Sequence, residues 1–129
     1  MTTDGAGNTL APLPASILTQ GPNLIVSIHT ALDDEQLVRL QRDLLDRVGS
    51  QRCRGILIDV AALDVLDSFA ARTLGNLAYM ARLRGARTVV VGISPDVAMA
   101  LVRLAVHMPL VQTALDLEEG LALMMRTMN

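Results

Sequence analysis

Lysine is absent from this chain of 129 residues, and all 11 of its basic side chains are arginine. Two reaction classes go with it. A P-loop needs an ammonium on the terminal phosphates, and Schiff-base catalysis needs an amine. Aromatic side chains are nearly as scarce: Phe69 and Tyr79 are the only two. The core must therefore be aliphatic, and single-stranded nucleic acid would find no row of aromatic faces to stack on. The net charge of −2 supplies no basic field for a phosphate backbone. Cys53 stands alone, which excludes a disulfide framework and a thiolate metal cluster. Its neighbours Arg52 and Arg54 would favour a thiolate; the plainer reading is a packed cysteine in a loop or at a strand edge. The start of the chain lacks the basic and apolar regions of a signal peptide, and no apolar run approaches the ~20 residues that cross a bilayer. The expectation is one soluble, cytoplasmic domain without cofactor, metal, membrane or nucleic-acid partner.

What is present is aliphatic periodicity. Residues 1–14 are small, polar and rich in Pro and Gly, and read as a mobile tail, with the folded domain over 15–129. Ile17-Leu18-Thr19 and Leu24-Ile25-Val26-Ser27-Ile28 flank turn chemistry at Gln20-Gly21-Pro22-Asn23, which predicts an antiparallel hairpin. Asp33 and Gln36 match a capping box. Leu37, Leu40, Leu44 and Val48 then repeat at helical spacing, and Gly49 is placed to end that helix. An apolar strand over 55–60 follows, then a helix over 68–84 with Leu74, Leu77, Ala78 and Ala81 as its apolar stripe. Gly85 closes it. A second apolar strand over 88–93 precedes Ser94-Pro95-Asp96, a compact helix start. That helix is expected to bury Val97, Ala98, Leu101, Val102 and Ala105 and to stop before Pro109. A short strand over 111–114 and a last helix capped by Asp116 and Glu119 complete the order ββαβαβα(β)α. Such alternation gives an α/β fold: a small, mostly parallel sheet with an antiparallel N-terminal edge strand and helices packed on it.

In an open parallel sheet, ligands and partners dock at the carboxyl ends of the strands, facing helix N-termini. Ser68 opens a helix at that rim, just after the strand ending near Asp59. It should be exposed there, with Asp59, Asp64 and Asp67 around it, Phe69 beside it and Arg72 one turn on. A phosphate would add about −1.5 to −2 charges. The helix N-terminus and Arg72 would favour the added charge and the three aspartates would oppose it.

Several stretches together are specific: Asn23-Leu24-Ile25-Val26-Ser27-Ile28 with Leu32-Asp33-Asp34, Ile58-Asp59, and Ala62-Leu63-Asp64-Val65 running into Asp67-Ser68-Phe69-Ala70-Ala71-Arg72. Gly92-Ile93-Ser94-Pro95 and Ala114-Leu115 extend the pattern. From about Ile17 onward the chain resembles the STAS domain (sulphate transporter and anti-sigma factor antagonist), and within it the stressosome scaffolds of RsbS type. Single-domain antagonists of this family usually follow Asp-Ser with a small residue and Gly; Phe69 and Ala70 stand here instead, a departure toward the scaffold type. The resemblance implies a non-enzymatic scaffold and phosphoswitch. It would sequester an RsbT-type serine kinase and release it when Ser68 is phosphorylated. It would assemble with RsbR-type STAS paralogues and be reset by an RsbX-type phosphatase. A homodimer and a large hetero-assembly are expected. The alternative within the family is a free anti-sigma factor antagonist under serine phosphorylation.

Plainer readings stand beside these. Ser68 is also read as the N-cap of its helix, a role that can coexist with accepting phosphate. Asp59 and Asp67 suggest a receiver-type phosphoacceptor or metal site, against which the missing lysine counts. His29 and His107 invite a Ser-His-Asp hydrolase, but Ser68 lacks the Gly-x-Ser-x-Gly elbow. Met124, Met125 and Met128 read as packing filler. Self-association is expected along the strand–helix edge over 24–37, away from Ser68.

Overall fold

Gly21, at φ +57°, lets the chain reverse within two residues, so Ala15–Gln20 (β1) and Asn23–Ile28 (β2) pair antiparallel with Gln20 opposite Asn23. The computed structural model describes residues 13–104 and 108–127. After the hairpin come Asp34–Gln51 (α1), Gly55–Asp59 (β3), Ser68–Leu83 (α2), Arg87–Val91 (β4), Pro95–Arg103 (α3), Val111–Ala114 (β5) and Leu117–Thr127 (α4). The five strands lie in the order β1-β2-β3-β4-β5, and every pairing after the first is parallel. This is the expected α/β sheet with one antiparallel edge strand. Expected residues 1–12 of the tail, together with Ala105, His107 and Met128, lie outside the described residues.

Strand periodicity divides the core in two. Ile56, Ile58 and Val90 join Leu24, Val26 and Ile28 on the face covered by α1 and α2. Leu57, Val89 and Val91 point the other way, where Met124 of α4 closes over them. Side chains of period two thus serve both faces, so the central strands are apolar without interruption. Gly120 sets how closely α4 approaches. A Cβ there would stand 2.7 Å from Val91 Cγ1 and 2.8 Å from Leu57 Cδ1.

The helices start as their sequences direct. Asp33 and Gln36 form a reciprocal capping box on α1. Ser94 caps α3, with Pro95 behind it. Asp116 accepts from the Glu119 amide at 2.9 Å, while the Glu119 carboxylate reaches Leu115 N rather than the cap itself.

Two expectations are corrected. Gly49 does not end α1, which runs on to Gln51 and is closed by Arg52 in the left-handed region, φ 52°. Gly49 instead makes room for Arg84, whose guanidinium would overlap a Cβ at that position. Ala98 and Val102 are exposed, because α3 meets the core through Val97, with Leu101 half-buried against it. The expected association edge over 24–37 is divided: Leu24, Ile25, Val26, Ile28 and Leu37 are buried, since β2 lies between β1 and β3, while His29, Thr30, Ala31, Asp33, Asp34 and Glu35 are exposed. Of the terminal methionines, Met124 is core and Met125 is 71% exposed.

Candidate functional site

The segment between β3 and α2 is held by apolar anchors and local hydrogen bonds. Asp59 is half-buried, and its Oδ1 accepts from Ala61 N at 2.9 Å. Val60 N donates to Val91 O at 3.0 Å, tying the loop to β4. Gly92, at φ +80°, leaves space for Ala61, which a Cβ would meet at 2.8 Å. Leu63 and Leu66 drop into the core, so Asp64 and Val65 between them are pushed into solvent.

Asp67, not Ser68, caps α2. Its backbone is extended (φ −81°, ψ 175°) and its Oδ1 accepts from Ala70 N at 2.8 Å. A carboxylate accepts this bond with its charge facing the positive helix end, an advantage a hydroxyl lacks. Ser68 therefore becomes the first helical residue. It is half-buried, and its hydroxyl makes no hydrogen bond to another described residue. Arg72, exposed on the next turn, has no carboxylate among the described residues within ion-pair distance.

Phe69 is half-buried against the core. Its outer side walls an open groove of about 460 Å³, whose other wall is α1 through Asp34, Glu35, Val38, Arg39 and Arg42. The two helices are joined at the back, where Gln41 Nε2 donates to Thr73 O at 3.2 Å. Sequence reasoning found Phe69 but missed Val38, Arg39 and Arg42. The available signal was Val38, an apolar residue outside the stripe of Leu37, Leu40 and Leu44.

The fold thus brings Asp59, Asp64, Asp67, Ser68, Phe69 and Arg72 to one rim, but their roles differ. Asp59 and Asp67 spend an oxygen on backbone amides; Asp64 and Arg72 face solvent. All four helices begin at this end of the sheet, and acids occupy their first turns or caps: Asp33, Asp34, Glu35, Asp67, Asp96, Asp116, Glu118 and Glu119. A phosphate on Ser68 would enter an acidic surface, relieved locally by the α2 N-terminus and Arg72. Among the described residues no group of three or more His, Cys, Asp or Glu is placed to hold a metal ion. His29 does not approach Ser68 as a triad would need; its Nε2 lies 3.0 Å from Ser16 Oγ at the hairpin. Burial pushes the Cys53 thiol above its ordinary value, with Arg47 opposing, so burial works against the thiolate that Arg52 and Arg54 would favour. No described helix is long and apolar enough to cross a membrane.

Comparison with known proteins agrees with this architecture. Residues 15–120 match the family described as STAS domain. The RsbT co-antagonist protein RsbRA of Bacillus subtilis (strain 168) is 27% identical over 113 residues, 87% of this chain. The chain spans 41% of the length of that relative. Among solved structures, Moorella thermoacetica RsbS, in a form with one serine replaced by glutamate, is similar at 30% identity and a TM-score of 0.76, over 87% of this chain and 95% of that one. A chain of the stressosome, described as a signal integration and transduction hub, is similar at 27% identity and a TM-score of 0.71, over 88% of this chain and 99% of that one.

Proposed function

The chain belongs to the STAS domain family, and we propose that it works there as a non-enzymatic scaffold and phosphoswitch of a stressosome-like assembly. Its partners in this reading are STAS paralogues of RsbR type, with which it assembles, and a serine kinase of RsbT type, which it holds at the Ser68 rim. A phosphatase of RsbX type resets the switch. The observation that carries the reading is the Ser68 hydroxyl: without a hydrogen-bond partner among the described residues, at the first position of α2, beside the Phe69 groove. Relatives named for RsbT antagonism and for the stressosome support the choice of partners.

The mechanism is electrostatic. A kinase docked on Phe69 and Val38 buries a neutral hydroxyl next to acidic side chains. Transfer of a phosphoryl group to Ser68 Oγ replaces its proton with a group carrying about −1.5 to −2 charges. Arg72, at i+4, and the free amides of the first turn hold that group against α2. The docked partner then faces a desolvated dianion beside Asp64 and Asp67. Losing ~3 kcal/mol of binding in this way weakens the complex more than a hundredfold.

The test incubates the full chain with an RsbT-type kinase and ATP, follows intact mass, and measures complex size before and after. The expected result is one phosphate on Ser68, none on Ser68→Ala, kinase release on phosphorylation, and a very large species with an RsbR-type paralogue. A small heteromer with a different ATP-dependent kinase would favour the free anti-sigma factor antagonist. Phosphate on Thr73 or Ser94 with Ser68 unmodified would refute the switch.

A further inference from the structure

Helix α3 is apolar on a face that the domain does not use. Of its nine residues only Val97 is buried. Pro95, Ala98, Met99 and Val102 follow one another at i, i+3, i+4 and i+7, which lines them up as one stripe along the helix. All four are exposed, Met99 at 52% and Val102 at 79%. Contiguous exposed apolar surface rimmed by polar residues marks an interaction site, whereas scattered single apolar residues do not.

Charge placement identifies the occupant. Asp96 and Arg103 are seven residues apart, on the same flank of the stripe and at opposite ends of it. Two copies of this helix packed antiparallel about a two-fold axis through Met99 keep that flank aligned. Asp96 of each copy then lies beside Arg103 of the other, and Met99 and Val102 meet in the middle. The separation along the axis, about 10 Å at 1.5 Å per residue, is the same in both copies. A self-complementary patch of this form is what a two-fold dimer requires.

We propose that α3 is the self-association surface of this protein, paired antiparallel with α3 of a second copy. The surface is small beside the roughly 800 Å² per partner of a standard interface, so the dimer is weak and reversible. The Phe69 groove, lined by α1 and Phe69, contains no residue of α3. This inference does not rest on the kinase reading.

Sedimentation velocity on the full chain over a wide concentration range tests it. Wild type should dimerise with a Kd on the order of 10–100 μM, and Val102→Glu should raise that Kd at least tenfold. Asp96→Arg and Arg103→Asp should each weaken the dimer several-fold, because like charges then face each other. The double reversal should restore it to near the wild-type value. Within one chain the double reversal worsens both ends of α3, so recovery is expected only from contact between copies. Circular dichroism confirms that each variant is folded, and the charge pair still decides the matter if Val102→Glu unfolds. A monomer at every concentration, an unchanged Kd in folded Val102→Glu, or no recovery in the double reversal would overturn the proposal. So would association with a STAS paralogue in the absence of any self-association. Ser68 phosphorylation of the monomeric variant is measured separately, and its failure bears on the switch rather than on α3.

Discussion

Asp67 and Ser68 are adjacent, yet the structure divides stability and modification between them. Asp67→Ala removes the acceptor for Ala70 N, a 2.8 Å bond, and a loss of about 1 kcal/mol is typical for such a cap. The carboxylate also lies at the positive end of α2, which adds about 0.3–1 kcal/mol. The variant should therefore lose about 1.5 kcal/mol, equivalent to a fall of roughly 3–6 °C in Tm for a domain of this size. Ser68→Ala touches no hydrogen bond to another described residue. Alanine is the better helix former by up to ~0.5 kcal/mol, so this variant should equal or slightly exceed the wild type. Phosphate acceptance should divide the opposite way: lost in Ser68→Ala, kept in Asp67→Ala. Urea denaturation followed by circular dichroism, with intact mass after kinase treatment, measures both. If Ser68→Ala lost as much stability as Asp67→Ala, Ser68 would be sharing the cap and the division of roles would be wrong.

Gly49→Ala should stabilise the domain by up to ~1 kcal/mol, because Gly49 lies inside α1 and only the flexible end of Arg84 must move aside; a loss would restore Gly49 as the helix terminator. Arg52→Gly should also stabilise, by about 1 kcal/mol, since a non-glycine residue now holds φ 52°; urea midpoints measure both. Gly120→Val should destabilise by about 1–3 kcal/mol through overlap with Val91 and Leu57, and a wild-type midpoint would show that α4 does not seat as closely as described. Cys53 should react with a thiol reagent at mildly alkaline pH only on unfolding, since the side chain is buried and its ionisation is pushed upward; fast labelling of the native protein would contradict that burial.

Local signals determined most of the architecture. Alternating aliphatic strands and leucine stripes, the turn at Gly21-Pro22, and the caps at Asp33, Ser94 and Asp116 each act within a few residues, so their outcome can be read without the rest of the chain. The position of Ser68 at the carboxyl end of β3 follows from element order alone. Competition and contact were left to the tertiary structure. Ser68 was the expected cap of α2, but the Asp67 carboxylate holds the Ala70 amide, with its charge facing the positive helix end. Gly49 carries the composition of a helix stop, but α1 continues past it and closes at Arg52, with Arg84 lying across the glycine. The alternation that marked Leu24–Ile28 as a strand says nothing about which strands flank it, and the sheet order made it interior. Helix α3 is the clearest case. Its apolar residues surround the helix, so periodicity cannot say which of them meet the core; only its seating through Val97 leaves Met99 and Val102 facing outward.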